Sequence, residues 1–377
     1  MPLRLASLCV AALVASPTLA AQTGQFVVRL GTDTLAIEQY TRTADRLQGE
    51  EVLRSPRTVH RLYTAGFGPG GALARFELVT HNVSGGPGPG ETRAVADIRG
   101  DSAFVTLPRG DSTVTQRLRL APGGLVYAGN YAMIEELVRR ARRAGGDRYA
   151  TTLLSLGAPA PWAVEVRPLG RDSMTILLGP IGLLRARVDE SGTLLGLSGI
   201  GSFMQVTVER VQRLDFARVG TSFAPRSLGP LSPGDSVTAT VAGATLAVRY
   251  SRPSARGRVI FGGVVPWDQV WRTGANEATV LETGAALLVA GTPVPAGRYS
   301  LWTIPSPAGW KLVLNRNTGQ WGTDYDPRYD FARLDLIVEA LAQPVEQFTI
   351  AIEPRGSGGV LQLAWATTRA SVPLAKP

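Results

Sequence analysis

The stretch RAVADIRGDSAFVTLPRGDSTVTQRLRL, Arg93–Leu120, reads as three strands in a row. Arg93–Ile98, Ala103–Leu107 and Val114–Leu120 place apolar residues at alternate positions, the period of a strand with one face buried. Between them stand two copies of Arg-Gly-Asp-Ser, Arg99–Ser102 and Arg109–Ser112. Gly-Asp at a tight turn accounts for both copies without an adhesion role.

The same rhythm extends in both directions. Phe26–Leu30 and Thr34–Tyr40 flank the turn Gly31-Thr32-Asp33, and Leu73–Thr80 follows. Beyond the quoted stretch, Val164–Leu169 and Met174–Leu178 are split by Gly170-Arg171-Asp172. Leu183–Val188 and Leu194–Gly199 are split by Asp189–Gly192, and Phe203–Val211 closes the series. Strands at hairpin spacing predict a large, curved antiparallel sheet, half-barrel-like. One segment departs from the period of two. Met133, Ile134, Leu137, Val138 and Ala141 fall on one helical face, with Asn130 as N-cap and Gly145-Gly146 as terminator, so 130–144 is expected to be a helix packed on that sheet. Glu135 and Glu136 are placed in the first turn and Arg139, Arg140, Arg142 and Arg143 in the last, an order that suits the helix dipole.

FAPRSLGPLSPGD, Phe223–Asp235, carries Pro225, Pro230 and Pro233 with Gly229 and Gly234, and reads as a linker. Of the seven Trp only Trp162 precedes it. Alternation at Leu246/Val248/Tyr250, Phe348/Ile350/Ile352 and Leu361/Leu363/Trp365 predicts a β-sandwich or jelly roll after it. The expected division is therefore 1–21 signal peptide, 22–222 antiparallel β domain, 223–235 linker and 236–377 β-sandwich. The fold class is mainly β.

At 377 residues and 40.0 kDa the chain has room for two or three domains. One Cys and two His exclude Cys/His zinc sites and a disulfide framework. No cofactor and no metal are expected. The net charge of +9 arises from 39 basic residues of which only Lys311 and Lys376 are not Arg, and these are interspersed with acids. Electrostatic binding of nucleic acid needs a continuous basic footprint, so none is expected as a partner. MPLRLASLCVAALVASPTLAAQ has the charge, short apolar run and small residues of a secretory signal cleaved after Ala20 or Ala21. Cys9 would leave with it, and no later apolar run is long enough to cross a membrane as a helix. The reading is an exported protein, periplasmic or secreted.

Several motifs resolve into structure. Gly66, Gly68 and Gly71 form GxGxxG, but between two strand-like runs and around Pro69, where a dinucleotide site needs a strand and a helix. His60 and His81 sit in strand-like segments with no strained nucleophile turn to serve. DYDPRYD, with Asp324, Asp326 and Asp330, departs from an EF-hand loop at Arg328 and Tyr329 and reads as an Asp-capped turn. The richest segment is YSRPSARGRVIFGGVVPWDQVWRTGANEAT, Tyr250–Thr279. Trp267, Trp271, Arg272, Asn276 and Glu277 supply indole faces, a cation, an amide and a carboxylate within eleven residues, the ingredients of a polar-ligand or sugar platform. The competing reading is a loop that caps the core, with Arg272 paired to Glu277.

That segment carries a resemblance. With PAGRYSLWTIP (Pro295–Pro305), Trp310, Val313-Leu314-Asn315, Gln320-Trp321-Gly322 and WATTRASVPL (Trp365–Leu374), it resembles the bacterial domain-of-unknown-function family 2911 over about Ala244–Leu374. The resemblance implies an exported β-rich bacterial domain with no established activity and assigns no catalytic residue. The N-terminal part is similar, on element pattern alone, to lipoprotein-carrier half-barrels.

Three functions fit these readings. The preferred one is a non-catalytic envelope binding module for a lipid, a hydrophobic segment or a cell-envelope glycan. The others are a structural or assembly protein of the envelope, and a glycan-acting hydrolase using Asp268, Glu277 or Glu282. No catalytic residue is assigned, which leans the reading away from an enzyme, and nothing in the sequence sets an oligomeric state.

Overall fold

The structure, a computed structural model, describes residues 21–85 and 90–377. The expected signal peptide therefore lies outside the described residues, apart from Ala21.

Among the described residues, fifteen strands form the first sheet. Eight of them run as an antiparallel meander from Gln22–Leu30 to Ser112–Arg119. The quoted stretch supplies three, Glu91–Arg99, Ser102–Arg109 and Ser112–Arg119. The chain then restarts at the opposite edge with Leu125–Tyr127 and works back to Thr207–Val211, which pairs with Gln22–Leu30. The two edge strands are thus separated in sequence by only Leu120–Gly124. Five residues span at most about 17 Å, so the sheet must roll until its edges approach, yet they do not pair and the barrel stays open.

Helix α1, Tyr131–Ala144, lies inside the roll. Leu125–Tyr127 and Tyr149–Ser155 pair in parallel because α1 forms the crossover between them. Met133, Ile134, Leu137, Val138 and Ala141 are buried, as the 3.6-residue period requires. Two details differ from the sequence reading. Asn130 occupies the N-cap position without capping, because its Oδ1 accepts from Ala128 N–H at 3.2 Å. Glu38, from the sheet, takes that role. Glu135 and Glu136 lie beyond the first turn and pair instead with Arg139 (2.5 Å) and Arg140 (3.0 Å) at i+4.

A second helix, α2, Phe216–Phe223, was not legible as a period. At eight residues it is too short to display one. It packs Phe216 and Phe223 on Val27, Ile37 and Val52, the sheet face opposite α1. Four strands of the first sheet also escaped the alternation test: Leu125–Tyr127 and Tyr149–Ser155 on either side of α1 and, earlier in the chain, Arg46–Leu53 and Val59–Phe67. The α1-facing row of the last two contains Gly49, Glu51 and Arg61, which mimic solvent-facing chemistry although Glu51 is buried. Phe203–Val211 shortens to the strand Thr207–Val211.

Among the described residues, nine strands form the second sheet. Asp330–Arg355 is long enough to serve two layers. Its first part pairs with Trp310–Asn315 and its remainder with Gly358–Ala375. Register shifts between Ala340 and Val345, and again before Thr349, mark where it bends. The layers close on Leu246, Val248, Leu301, Leu312, Phe348, Ile350, Leu363 and Trp365, the core of a sandwich.

The Pro/Gly-rich segment is tied to the first sheet. Leu228 N–H donates to Arg54 O at 2.8 Å, Ser227 Oγ to Pro56 O at 2.8 Å and Ser55 Oγ to Gly229 O at 2.9 Å.

Candidate functional site

The segment between the strands Ala244–Ser251 and Thr279–Thr283 forms one long irregular loop. Arg256, Asp268, Thr273 and Asn276 adopt positive φ of 50–60° in it, conformations that cost a non-glycine residue energy and persist only where surrounding contacts enforce them.

Those contacts use much of the expected platform. Trp271 exchanges backbone hydrogen bonds with Thr303 at 2.8 and 2.9 Å and donates its indole N–H to Gly274 O at 3.1 Å. Its ring stacks on Trp365 with centroids 5.7 Å apart. Trp267 lies over Phe261 at 6.2 Å and is 37% exposed. The two indoles do not share a helical turn, because Asp268 at φ 60° breaks it, but both contact Phe261. Asn276 donates to Ser232 O (3.3 Å) and Ser251 Oγ (3.2 Å), so its amide closes the loop onto the preceding segment.

The two charged residues behave otherwise. Among the described residues Arg272 and Glu277 form no ion pair. The Arg272 stem lies against Gly322, where an added Cβ would stand 2.2 Å from Arg272 Cδ, and its guanidinium reaches only the Asn276 carbonyl at 3.4 Å. Burial lowers the Arg272 pKa from its ordinary value. Glu277 pairs through its backbone with Trp321, and among the described residues its carboxylate has no partner. Trp321 is 38% exposed and meets Phe203, 46% exposed, from the first sheet's last loop, with centroids 6.0 Å apart. Sequence reasoning found Arg272 and Glu277 and missed Phe203, whose approach depends on how the two sheets sit.

The same loop holds the sheets together elsewhere. Arg256 pairs with Asp33, and its carbonyl accepts from Thr32 N–H at 2.9 Å. Gly31, at φ +61°, makes room: a Cβ there would lie 2.0 Å from Arg256 O.

A second constellation was invisible in sequence. Glu38 and Glu51 are cross-strand neighbours, 0% and 3% exposed, where like charges ordinarily repel. Glu38 accepts from the first amides of α1, Tyr131 N–H at 2.7 Å and Ala132 N–H at 3.0 Å, and from the Tyr63 hydroxyl at 2.5 Å. It thereby satisfies helix donors that would otherwise be orphaned. Burial and the Glu51 charge push its carboxyl up to about 8, against those donors. Burial also raises Glu51, opposed by Arg61 at 3.3 Å. Tyr40 and Arg210 hold Glu135, while Arg42 holds Glu136 at 3.2 Å. These groups anchor α1 inside the roll. The one sequence signal for them is an acid on the apolar-facing row of a strand.

His60 and His81 are direct cross-strand neighbours, with His60 Nε2 2.7 Å from Glu50 Oε2. Among the described residues no three His, Cys, Asp or Glu gather into a metal-sized cluster. Asp326 caps the short turn Pro327–Tyr329, and Asp330 pairs with Arg333 at 2.7 Å.

The molecule is thus an open β half-barrel filled by a helix and joined to a β-sandwich, with two charges that form no ion pair among the described residues beside an aromatic contact between them. Residues 232–374 match the family described as protein of unknown function (DUF2911). No curated protein matches the chain. Among solved structures it is similar to the β-barrel-like DUF1849 protein of Brucella abortus, at 15% identity over 50% of this chain and 93% of that one, TM-score 0.33. It is also similar to a DUF1089 family protein of Pseudomonas aeruginosa, at 14% identity over 51% and 95%, TM-score 0.30.

Proposed function

We propose that the protein is an exported, non-catalytic binding module of the cell envelope. In this reading it holds an anionic envelope component at the contact between its two sheets. The carrying observation is Arg272, a partly buried guanidinium whose one hydrogen-bond acceptor among the described residues is a carbonyl. A guanidinium is the side chain best shaped for bidentate recognition of a carboxylate or phosphate, and partial burial strengthens that bond. Trp321 and Phe203 add an apolar face beside it, and Glu277 a free acceptor for ligand hydroxyl or amide protons.

The other readings have less support. An apolar ligand in the roll would have to displace α1, whose Met133, Leu137 and Val138 already fill it. For a hydrolase, Glu282 is turned toward Arg249 (3.7 Å) and Arg298 (3.9 Å) on its own sheet. The test is calorimetric titration of the full chain with muramyl peptides and other peptidoglycan fragments. Arg272→Met keeps the stem packed on Gly322 and removes the charge, so binding should fall at least tenfold while melting stays near that of the parent. Absence of binding by any fragment, or equal binding by Arg272→Met, favours the structural or assembly protein.

A further inference from the structure

On the face of the first sheet opposite α1 lies a groove of about 750 Å³. Strand alternation explains its chemistry. Tyr40 and Tyr63 point toward α1, so their neighbours Gln39, Thr41, Leu62 and Thr64 point into the groove. Two register rows cross it. In the first, Leu214 N–H donates to Gln25 Oε1 (2.8 Å), Gln25 Nε2 to Gln39 Oε1 (3.1 Å) and Gln39 Nε2 to Glu50 Oε1 (2.7 Å). Glu50 then meets His60 through its other oxygen at 2.7 Å. This row is satisfied internally and held in one geometry.

The second row is not. Thr23, Thr41, Gln48 and Thr64 are successive cross-strand partners on four adjacent strands. Among the described residues their side chains make no hydrogen bond. They therefore present hydroxyls and an amide, each both donor and acceptor, at the interstrand spacing of about 4.8 Å. The groove offers no free charge to a ligand. Glu50 is held by Gln39 and His60, and Arg210 is consumed by Glu135, Tyr40 (2.8 Å) and Leu194 O (2.7 Å).

We propose that this groove binds an uncharged polyhydroxylated chain, a neutral glycan strand, laid across the strands along the Thr23–Thr41–Gln48–Thr64 row. Vicinal hydroxyls are donors and acceptors at once, which is what an uncommitted row of Thr and Gln recognises. A charged ligand would lose hydration there without gaining a counter-charge. The site is separate from Arg272 and does not depend on its role.

The test is titration calorimetry of the full chain with cellohexaose, chitohexaose in its fully acetylated form, maltohexaose and an uncharged Gly/Ser hexapeptide. At least one neutral oligosaccharide should bind. Thr41→Val, isosteric without the hydroxyl, and Gln48→Ala should each weaken it at least fivefold with unchanged melting, while Arg272→Met should leave it intact. Three results would overturn the proposal: no oligosaccharide binding at millimolar concentration, binding of the peptide alone, or oligosaccharide binding indifferent to both groove variants. Loss of peptidoglycan-fragment binding in Arg272→Met with intact groove binding would separate the two sites.

Discussion

Asp33 and Arg256 join the two sheets: a carboxylate in the first hairpin meets a guanidinium held at positive φ in the long loop of the second. The pair is mostly shielded from solvent, and Arg256 also fixes Thr32 through its carbonyl and Glu346 through its N–H at 2.8 Å. A hydrogen-bonded charge pair in such a place contributes about 2 kcal/mol.

We propose that the segments on either side of Phe223–Asp235 are independently folding units coupled by this contact. Asp33→Ala should lower unfolding stability by that amount and split one calorimetric transition into two. It should also speed limited proteolysis within 223–235, where the parent is tied down by Arg54, Ser55 and Pro56. A single transition with unchanged cleavage would place the coupling elsewhere.

Leu137 is fully buried on α1 within the first core. Leu137→Asp should destabilise the protein by several kcal/mol, because it buries a carboxylate with no partner. Thermal melting checks this, and parental stability would mean that α1 leaves the roll readily.

Gly49 has a local reason to be glycine. A Cβ there would lie 2.3 Å from the Tyr63 hydroxyl, which Glu38 needs as a donor. Gly49→Ala should therefore cost about 1–3 kcal/mol through displacement of the Tyr63 ring. Addition of Tyr63→Phe to Gly49→Ala should cost less than Tyr63→Phe costs in the parent, since that hydrogen bond is already lost.

Glu38 makes stability depend on pH. Its folded pKa is about 8, whereas an unfolded Glu titrates at about 4.3. Between those values the folded chain keeps a proton that the unfolded chain releases, so this contribution is complete below about pH 4 and declines as pH rises toward 8. Glu38→Gln should flatten the melting profile between pH 5 and 8. An unaltered slope in that variant would assign the effect to Glu51 or another group.

Local chemistry accounts for the parts that were legible. A strand's alternation and a helix's stripe are set by neighbours two to four residues away, so the hairpin at Gly31–Thr32, the meander from Arg93 to Leu120 and the buried face of α1 could be read directly. The Trp-rich loop was legible as a concentration of chemistry, because composition needs no partner. Register and the approach of distant segments are different in kind. Glu38 faces Glu51 because two strands align across a turn, and it caps α1 because the sheet rolls around a helix that begins 93 residues later in the chain. Arg272 turns from Glu277 to the Asn276 carbonyl because Gly322 gives its stem a bed. Phe203 meets Trp321 because the two sheets adjoin there. The Glu38, Gly322 and Phe203 contacts link residues whose separation along the chain carries no periodic trace, so packing in three dimensions had to choose them.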